Sequence, residues 1–450
     1  MSNRRSFLKT VSSLGAGLFV VPRLFAQHDH AAMTHTEKDK DMQMDGNPLM
    51  VQSPDIPNLA FEIDNGVKVF RLRAEVVERE LIPGKKMKVW GYNGSCPGPT
   101  IQATQGERVR IIVENRLPEA TTMHWHGFEI PVLMDGMPYI SQKPILPGGN
   151  FTYEFTLHQE GTYFYHSHGA MQEMMGMIGM FILHPKKPYK PRVDHDYGII
   201  MQGWSLLPNS DVPNTAGMEF NWLTFNGKAG PATTPLLARL GSRVRIRFVN
   251  MGMDHHPIHL HGNTFVVTGS EAGRQPETMW GPANTVLVGV AQARDIEFVA
   301  NNPGDWMLHC HLPHHMMNSM MDLLGDRLIT TSALAPKQAD EQMGFMMASG
   351  LMEHSGDSHG TPVSSDATKV IGFPQDAYME MTQDSGVGTA TKPELHGLPP
   401  NWTAGMQGMM TLVRVLPLEM YDHIMALKTR ATEEKPGQQP AAEHKHGKGA

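Results

Sequence analysis

The feature of this sequence that most restricts its fold is an internal repeat. The segments YNGSCPGPTIQATQGERVRIIVEN (92–115) and FNGKAGPATTPLLARLGSRVRIRFVN (225–250) both begin with an aromatic-Asn-Gly turn and both contain a Gly-x-Arg-Val-Arg-Ile run. Charged and apolar residues alternate in that run, which is the pattern of a half-buried β-strand. The chain is therefore predicted to contain two copies of one β-rich unit.

Two His-x-His pairs recur at matching places in the copies. HWH (124–126) begins 18 residues after Gly106, and HLH (259–261) begins 18 residues after Gly241. The later pairs lie in GTYFYHSH (161–168) and GDWMLHCH (304–311), where the first histidine stands five residues after the glycine. The repeat therefore includes the histidines as well as the strands.

Short alternating strands separated by Gly, Pro and Asn turns favour an all-β fold, with each copy a β-sandwich or barrel with Greek-key connections. We place the copies at 57–188 and 194–334. The polar segment 27–56 is expected to be flexible, and 335–450 is predicted to be a long, mostly irregular C-terminal extension rich in Met and His. Within that extension, residues 416–430 have the pattern of an amphipathic helix.

The His-x-His spacing matters because side chains at i and i+2 of a strand point to one face, while the residue between them points to the other. One such pair is weak evidence for a metal site, but four pairs at matching places in a duplicated unit predict one. Eight imidazoles exceed the needs of a single ion, so a metal cluster is expected. The eight residues are His124, His126, His166, His168, His259, His261, His309 and His311.

In the last pair the middle residue is Cys310, which is predicted to point away from the cluster. Two imidazoles, a thiolate and a weak axial methionine form the ligand set of a blue copper centre. The predicted site, with its other ligands close by in sequence, is His256, Cys310, His315 and Met320. The bonds from Cys310 to His309 and His311 would then form a short path from this copper to the cluster.

The first copy provides a comparison for this site. The positions that match the four predicted ligands hold Thr121, Ser167, Gln172 and Met177. Only the methionine is kept, so the first copy is not expected to bind blue copper. His255 and His314 stand beside the predicted ligands but miss the spacing, and we expect them to lie around the site or to be exposed.

Composition agrees with a copper protein. Methionine (35 residues) and histidine (24 residues) are abundant, and both ligate copper. The formal net charge is -7 with no basic patch, which argues against nucleic acid as a partner. If the chain is exported, its two cysteines could form a disulfide. The predicted ligand role of Cys310 instead favours a free thiolate.

Several methionines are close together in the C-terminal extension, at Met343, Met346, Met347 and Met352. Soft thioethers favour Cu(I) over harder ions, so this segment is predicted to gather Cu(I). The alternative is an ordered cover that packs its methionines on the two β-rich units.

Residues 1–26 have the pattern of an export signal. The twin arginine in NRRSFLKT (3–10) precedes a short apolar run, which resembles a twin-arginine signal with cleavage near Ala26. The run is too short to span a membrane comfortably, and no other stretch is long and apolar enough. We expect a periplasmic or secreted protein without a membrane span.

The motifs described above resemble those of the multicopper oxidases, the group of laccases, cuprous oxidases and ascorbate oxidase. The four histidine pairs carry the resemblance, and YNGSCPGPTI (92–101) and MDGMPYISQKPILPGG (134–149) also fit the family pattern. The resemblance runs from about 90 to 330 and implies that the units are cupredoxin domains.

The resemblance also implies four coppers per subunit. The type 1 copper matches the predicted blue copper site, and the type 2 copper matches His124 and His259. One type 3 copper matches His126, His166 and His311, and the other matches His168, His261 and His309. Cys310, His309 and His311 would carry electrons between the sites.

The reaction implied by the resemblance is a laccase-like oxidation. Four one-electron oxidations of a small reductant, a phenol, an aromatic amine or Cu(I), are coupled to reduction of O2 to water. Asp135 matches a family carboxylate that helps to deliver protons, although an Asp-Gly turn is an alternative reason for it. A second acidic residue of some members is absent, because Met316 occupies its place.

The chain is shorter than most relatives, because only 88 residues separate His168 from His256. It therefore resembles the two-domain oxidases with type 1 copper in the second domain. In those proteins the first domain of one chain meets the second domain of the next. Such a head-to-tail contact must close into a ring, and the resemblance implies a homotrimer with the cluster between chains.

Two alternative functions remain. A copper nitrite reductase also has two cupredoxin domains, but it carries type 1 copper in the first domain and a single three-histidine catalytic copper. A copper-binding or copper-tolerance protein without turnover is favoured by Met-rich stretches such as MQEMMGMIGM (171–180). Uptake of O2 with a reductant distinguishes the oxidase from both.

Overall fold

The computed structural model describes residues 48–169, 171–207, 210–218, 220–316, 392–399, 402–403 and 406–433. The predicted export signal, the methionines at 343–352 and the predicted ligand Met320 lie outside the described residues. Among the described residues, no helix has the length and apolarity of a membrane span.

The first unit is a two-sheet β-sandwich. One sheet has the strand order β1-β2-β5-β7 with β3 beside β2, and the other has the order β4-β9-β8-β6. The apolar side chains of both sheets form one buried core, in which Phe70, Val109 and Phe181 are fully buried. The strands are β1 Phe61–Asp64, β2 Val67–Ile82, β3 Lys85–Tyr92, β4 Gly98–Thr104, β5 Arg108–Asn115, β6 Met123–His126, β7 Asn150–Thr156, β8 Gly161–Ser167 and β9 Ile178–His184.

The second unit is also a two-sheet sandwich. Its larger sheet has the order β11-β10-β13-β19-β15-β16 with β17 beside β15, and its smaller sheet has the order β12-β21-β20-β14-β18. The strands are β10 His195–Trp204, β11 Trp222–Phe225, β12 Leu236–Arg239, β13 Arg243–Asn250, β14 His256–Leu260, β15 Phe265–Ser270, β16 Gly273–Arg274, β17 Pro282–Ala283, β18 Thr285–Val288, β19 Gln292–Val299, β20 Gly304–Cys310 and β21 Met410–Leu416.

The C-terminal strand β21 lies inside the second sandwich, between β12 and β20. A second unit that ends at residue 334 leaves this strand out, so the boundary predicted from sequence is corrected to include 410–416. The reason is long-range pairing, since β21 runs parallel to β12 and antiparallel to β20. The predicted helix follows as α1, Leu418–Glu433, and its Ile424 packs against Leu237 and Leu416.

The two sandwiches pack on each other through an apolar cluster. Phe164 and Met180 of the first unit meet Ile200 and Val249 of the second. Val51 and Ile56 belong to the same cluster and are buried, so they are packed here although the sequence places them in a segment expected to be flexible.

Polar and glycine contacts complete the junction between the sandwiches. The buried Arg247 donates hydrogen bonds to Asp196 (2.8 Å) and to Thr162 of the first unit (2.7 Å). A Cβ on Gly161, whose φ is +130°, would lie 2.6 Å from the Cα of Gly273, so this close approach requires glycine. The end of β8 that leads to the later histidine pair of the first unit is thereby fixed against the second unit.

Candidate copper centres

The four His-x-His pairs have the two-faced arrangement that their spacing predicts. All four middle residues point into the sandwich cores, since Trp125, Ser167 and Cys310 are 0% exposed and Leu260 is 1% exposed. The flanking imidazoles point outward. Antiparallel pairing of β6 with β8 places His124 opposite His166, and pairing of β14 with β20 places His259 opposite His309.

The first histidine set is His124, His126, His166 and His168. Their ring centroids lie between 5.2 and 5.9 Å apart. Nδ1 of His126 is 3.3 Å from Nε2 of His166, and nitrogens of His124, His126 and His166 lie close enough to hold one metal ion. The set therefore gathers at the end of β6 and β8, on the outer face of the sheet.

The second histidine set is His259, His261, His309 and His311, with ring centroids between 4.7 and 5.7 Å apart. Nε2 of His261 is 3.0 Å from Nε2 of His309. The ring contacts that join these eight histidines all lie within one set or within the other. One chain thus carries two separate groups of four imidazoles. The residues of the first group occupy the same positions in the first copy of the repeat as those of the second group do in the second copy.

Backbone carbonyls orient the rings in the same way in both sets. Nδ1 of His124 donates to the carbonyl oxygen of Asp135 (2.7 Å), and Nδ1 of His259 donates to that of Asn284 (2.8 Å). Likewise, His309 donates through Nδ1 to the carbonyl oxygen of Cys310 (2.8 Å). Each bond leaves Nε2 free to bind a metal and fixes the ring plane.

Burial lowers the pKa of an imidazole in each set. Burial, together with the neighbouring His166 and His124, lowers the pKa of His126 to about 4. Burial also lowers the pKa of His309 to about 4, against the raising effect of the hydrogen bond to Cys310 and with a further lowering effect from His261, His259 and His311. A neutral imidazole is the metal-binding form, so these residues are in the state a metal needs at neutral pH.

Two carboxylates lie against the first histidine set. Oδ1 of Asp135 is 3.4 Å from Nδ1 of His124, which places this predicted residue beside the set, while its role with protons stays a prediction. Oε1 of Glu173 is 2.7 Å from Nδ1 of His166, a contact that sequence analysis missed. The repeat could have revealed it, because Glu173 is the counterpart of Met316, each twelve residues after the matching glycine.

The Cys310 site, formed by His256, Cys310 and His315, lies on the other face of β20. The three residues are 1%, 0% and 1% exposed. Sγ of Cys310 is 3.7 Å from Nδ1 of His256 and 3.4 Å from Nδ1 of His315, and the two nitrogens are 3.1 Å apart. The centre of this triangle is about 2.0 Å from each atom, which is the length of a metal–imidazole bond.

The electrostatics of the Cys310 site also suit a metal. Burial raises the pKa of Cys310 to about 12, and it lowers the pKa of His256 to about 3 and that of His315 to about 4. The histidines are therefore neutral ligands, and the thiol gives up its proton when a metal binds. A thiolate with two imidazoles is a soft, trigonal donor set, and copper fits it.

The matching place in the first unit is filled by hydrogen bonds. Thr121 and Ser167 both donate through their hydroxyls to Oε1 of Gln172, at 2.7 and 2.5 Å, and the two hydroxyl oxygens are 3.0 Å apart. These groups satisfy each other and offer no soft donor. This arrangement favours a single blue copper site, in the second unit.

His255 and His314, which the sequence placed beside the predicted ligands, are both exposed. Nδ1 of His255 accepts a hydrogen bond from the backbone N–H of Val290 (3.1 Å). The ring of His314 lies 4.2 Å from that of His315, so it borders the Cys310 site on the solvent side.

Comparisons with known proteins agree with this geometry. Two multicopper oxidase family models match residues 74–188 and 207–324. Copper resistance protein A of Escherichia coli is 36% identical over 241 residues, which are 42% of this chain and 40% of that protein. The chain thus spans less than half of that curated relative.

Solved structures give the same result for the fold. The multicopper oxidase mgLAC is 32% identical with a TM-score of 0.52, and the match covers 56% of this chain and 81% of that one. A blue copper oxidase from Nitrosomonas europaea is 29% identical with the same TM-score of 0.52 and the same coverage. The sandwiches are therefore two cupredoxin domains, and the chain belongs to the multicopper oxidase family.

Proposed function

We propose that this protein is an oxidase that takes electrons singly from a small reductant at the Cys310 site and uses four of them to reduce O2 to water at the histidine sets. Strand β20 carries this proposal, because it presents Cys310 on one face and His309 on the other. Copper, when bound, would supply the one-electron redox chemistry at both places.

The proposed ligands follow the family pattern and amount to four coppers per chain. His256, Cys310 and His315 would hold the type 1 ion together with a thioether. The other ions would be held by His124 with His259, by His126, His166 and His311, and by His168, His261 and His309. Within the chain, the peptide bond from Cys310 to His309 and the hydrogen bond from His309 Nδ1 to the Cys310 carbonyl (2.8 Å) give electrons two short routes between the sites.

The cluster is proposed to form between two chains. Each chain brings two groups of four imidazoles without a ring contact between the groups, so the first set of one chain would meet the second set of the next. The loop that carries Asp135 and strand β18, whose Thr285 pairs with His259, expose apolar side chains of the kind found in the core of a contact surface. They are Val132 (66% exposed), Leu133 (63%), Tyr139 (86%), Ile140 (74%) and Leu146 (67%) in the loop, and Leu287 (58%) on β18.

Head-to-tail contacts of this kind form either a closed ring or an open filament. We propose that they close into a homotrimer. Asp135 lies at the first set and would help to deliver protons to the shared cluster. The twin-arginine pattern of residues 1–26 supports export of the protein to the periplasm or outside the cell.

For the reductant we propose Cu(I). Oδ2 of Asp254 is 3.5 Å from Nε2 of His315, and its side chain is 43% exposed, so a carboxylate links solvent to a ligand of the Cys310 site. Met253 beside it is 45% exposed and offers a thioether. A carboxylate and a thioether together attract a soft cation, whereas the negative charge of the carboxylate does not attract a neutral phenol. The similarity to a copper resistance protein supports this choice.

The reductant proposal predicts a selective effect of Asp254→Asn. Removing one charge at the entry point is expected to lower kcat/KM for Cu(I) by about tenfold, since a charge pair near a protein surface is worth one to a few kcal/mol. Oxidation of a bulky phenol should change less than about twofold. Steady-state kinetics with both reductants measure this, with Asp422→Asn on α1 as the matched control. Equal losses for Cu(I) and phenol would contradict Cu(I) as the preferred reductant.

The oxidase itself is tested by oxygen uptake. The copper-loaded protein with excess Cu(I) or phenol should consume one O2 for every four electrons and release no hydrogen peroxide. A protein that binds copper without consuming O2 would support the copper-tolerance alternative. Nitrite consumption in place of O2 uptake would support the nitrite reductase.

A further inference from the structure

We propose that Met409, which stands 94 residues after His315, is the axial thioether ligand of the Cys310 site. This inference rests on the proposed function, since it concerns the same copper site. It gives Met409 the ligand role that the sequence spacing predicts for Met320. It also makes the C-terminal segment a part of the centre.

The backbone around Met409 copies the backbone around Met177 in the first unit. There, Ser167 N–H donates to the carbonyl oxygen of Met177 (3.0 Å), and Met177 N–H donates to that of Gln172 (3.2 Å). Ser167, Gln172 and Met177 are the counterparts of the cysteine, the second histidine and the methionine of a blue copper site. Met177 therefore marks where an axial methionine stands in this repeat.

In the second unit the same two bonds are made by Met409. Cys310 N–H donates to the carbonyl oxygen of Met409 (3.0 Å), and Met409 N–H donates to the carbonyl oxygen of His315 (3.0 Å). Met409 is thus tied by its backbone to two of the three ligands. Its side chain is 0% exposed and belongs to the same buried cluster as Cys310.

The strands that follow the two methionines are also equivalent. β9 begins directly after Met177 and β21 directly after Met409, and each has seven residues. β9 lies between β4 and β8, and β21 lies between β12 and β20. The glycines before the methionines, Gly176 and Gly408, both have positive φ, at 108° and 73°.

Sequence agrees with this equivalence. GMIGMFILHP (176–185) and GMMTLVRVLP (408–417) both begin with Gly-Met and end in Pro at the tenth position. The chain leaves the repeat after Met316 and returns at Gln407, whose N–H donates to the carbonyl oxygen of Met316 (2.8 Å). In sequence, residues 317–406 are therefore an insertion between two ligands of one site. Met320, five residues after His315, belongs to that insertion.

The test compares Met409→Leu and Met409→Gln with Met320→Leu as the matched control. An axial thioether donates weakly to copper and tunes its potential. Loss of the thioether in Met409→Leu is expected to raise the reduction potential of the blue copper. The amide of Met409→Gln, a harder donor that favours Cu(II), should lower it and shift the blue absorption band. Met320→Leu should leave potential and band unchanged.

Redox titration and absorption spectra of the copper-loaded full chain give these readouts without turnover. Circular dichroism of the copper-free variants shows that each is folded, and Leu nearly matches Met in volume. An unchanged potential in both Met409 variants, or a shift in Met320→Leu, overturns the inference. A wild-type protein that takes up copper without becoming blue contradicts the proposed function instead.

Discussion

Cys310→Ser is expected to remove the blue colour and to lower O2 uptake by more than about 100-fold, because loss of a direct ligand should exceed the 10- to 100-fold cost of losing a group that only orients one. As a copper ligand, the thiolate would be the source of the blue absorption, and a serine hydroxyl at the same place in the first unit is engaged in hydrogen bonds. Copper content should fall by one ion per chain, since the histidine sets stay intact.

The matched control for Cys310→Ser is Cys96→Ser. Cys96 is also a fully buried thiol, and burial raises its pKa to about 12, but it packs in an apolar cluster and its Sγ donates a hydrogen bond to the carbonyl oxygen of Gly176 (3.5 Å). Colour and uptake should persist in this variant. A Cys310→Ser protein that is still blue would show that the thiolate of the copper site lies elsewhere.

His166→Ala is also expected to lose O2 uptake, but it should keep the blue colour that Cys310→Ser loses. Its imidazole belongs to the first histidine set, on the outer face of β8, and it has no contact with the Cys310 site of its own chain. The blue band should persist, while O2 uptake should fall by more than about 100-fold through loss of a cluster ligand. After reduction by a phenol, the colour should not return on exposure to O2.

Absorption spectra, copper analysis and an oxygen electrode measure the effects of His166→Ala. His158→Ala is its control, because His158 is exposed in the same domain and should behave as wild type. If His166→Ala bleached the protein yet left uptake unchanged, the separation of the two faces would be wrong.

The local parts of this architecture could be predicted from sequence because they depend on a period of two residues. The alternation that buries Trp125 and Cys310 and turns the histidines outward follows from strand geometry alone. The repeat predicts that the two units share one arrangement, and the structure agrees, since His124 meets His166 as His259 meets His309.

The parts that depend on long-range pairing could not be predicted by spacing. A boundary at residue 334 ends the second unit too early, because β21 enters its sheet from 410–416. The packing of Val51 between the sandwiches depends on residues distant in sequence, such as Phe164 and Val249. Glu173 could be predicted only by extending the comparison of the two copies beyond the histidines. Met409 could be predicted only by extending that comparison across the insertion.

The sharing of one cluster by two chains is tested most directly by mixing two inactive variants. His124→Ala removes a ligand from the first set, and His259→Ala removes its counterpart from the second set. In a head-to-tail ring, an intact first set of one variant meets an intact second set of the other, together with that chain's Cys310 site.

Equal amounts of the two variants are dissociated by copper removal, mixed and reloaded, and O2 uptake is measured. Random assembly predicts that about a quarter of the interfaces are complete, so uptake should return to about a quarter of the wild-type rate. Mixing His124→Ala with His166→Ala, both in the first set, should restore nothing. If light scattering and copper analysis show mixed, copper-loaded rings of the His124→Ala and His259→Ala chains without any uptake, the cluster does not lie between chains.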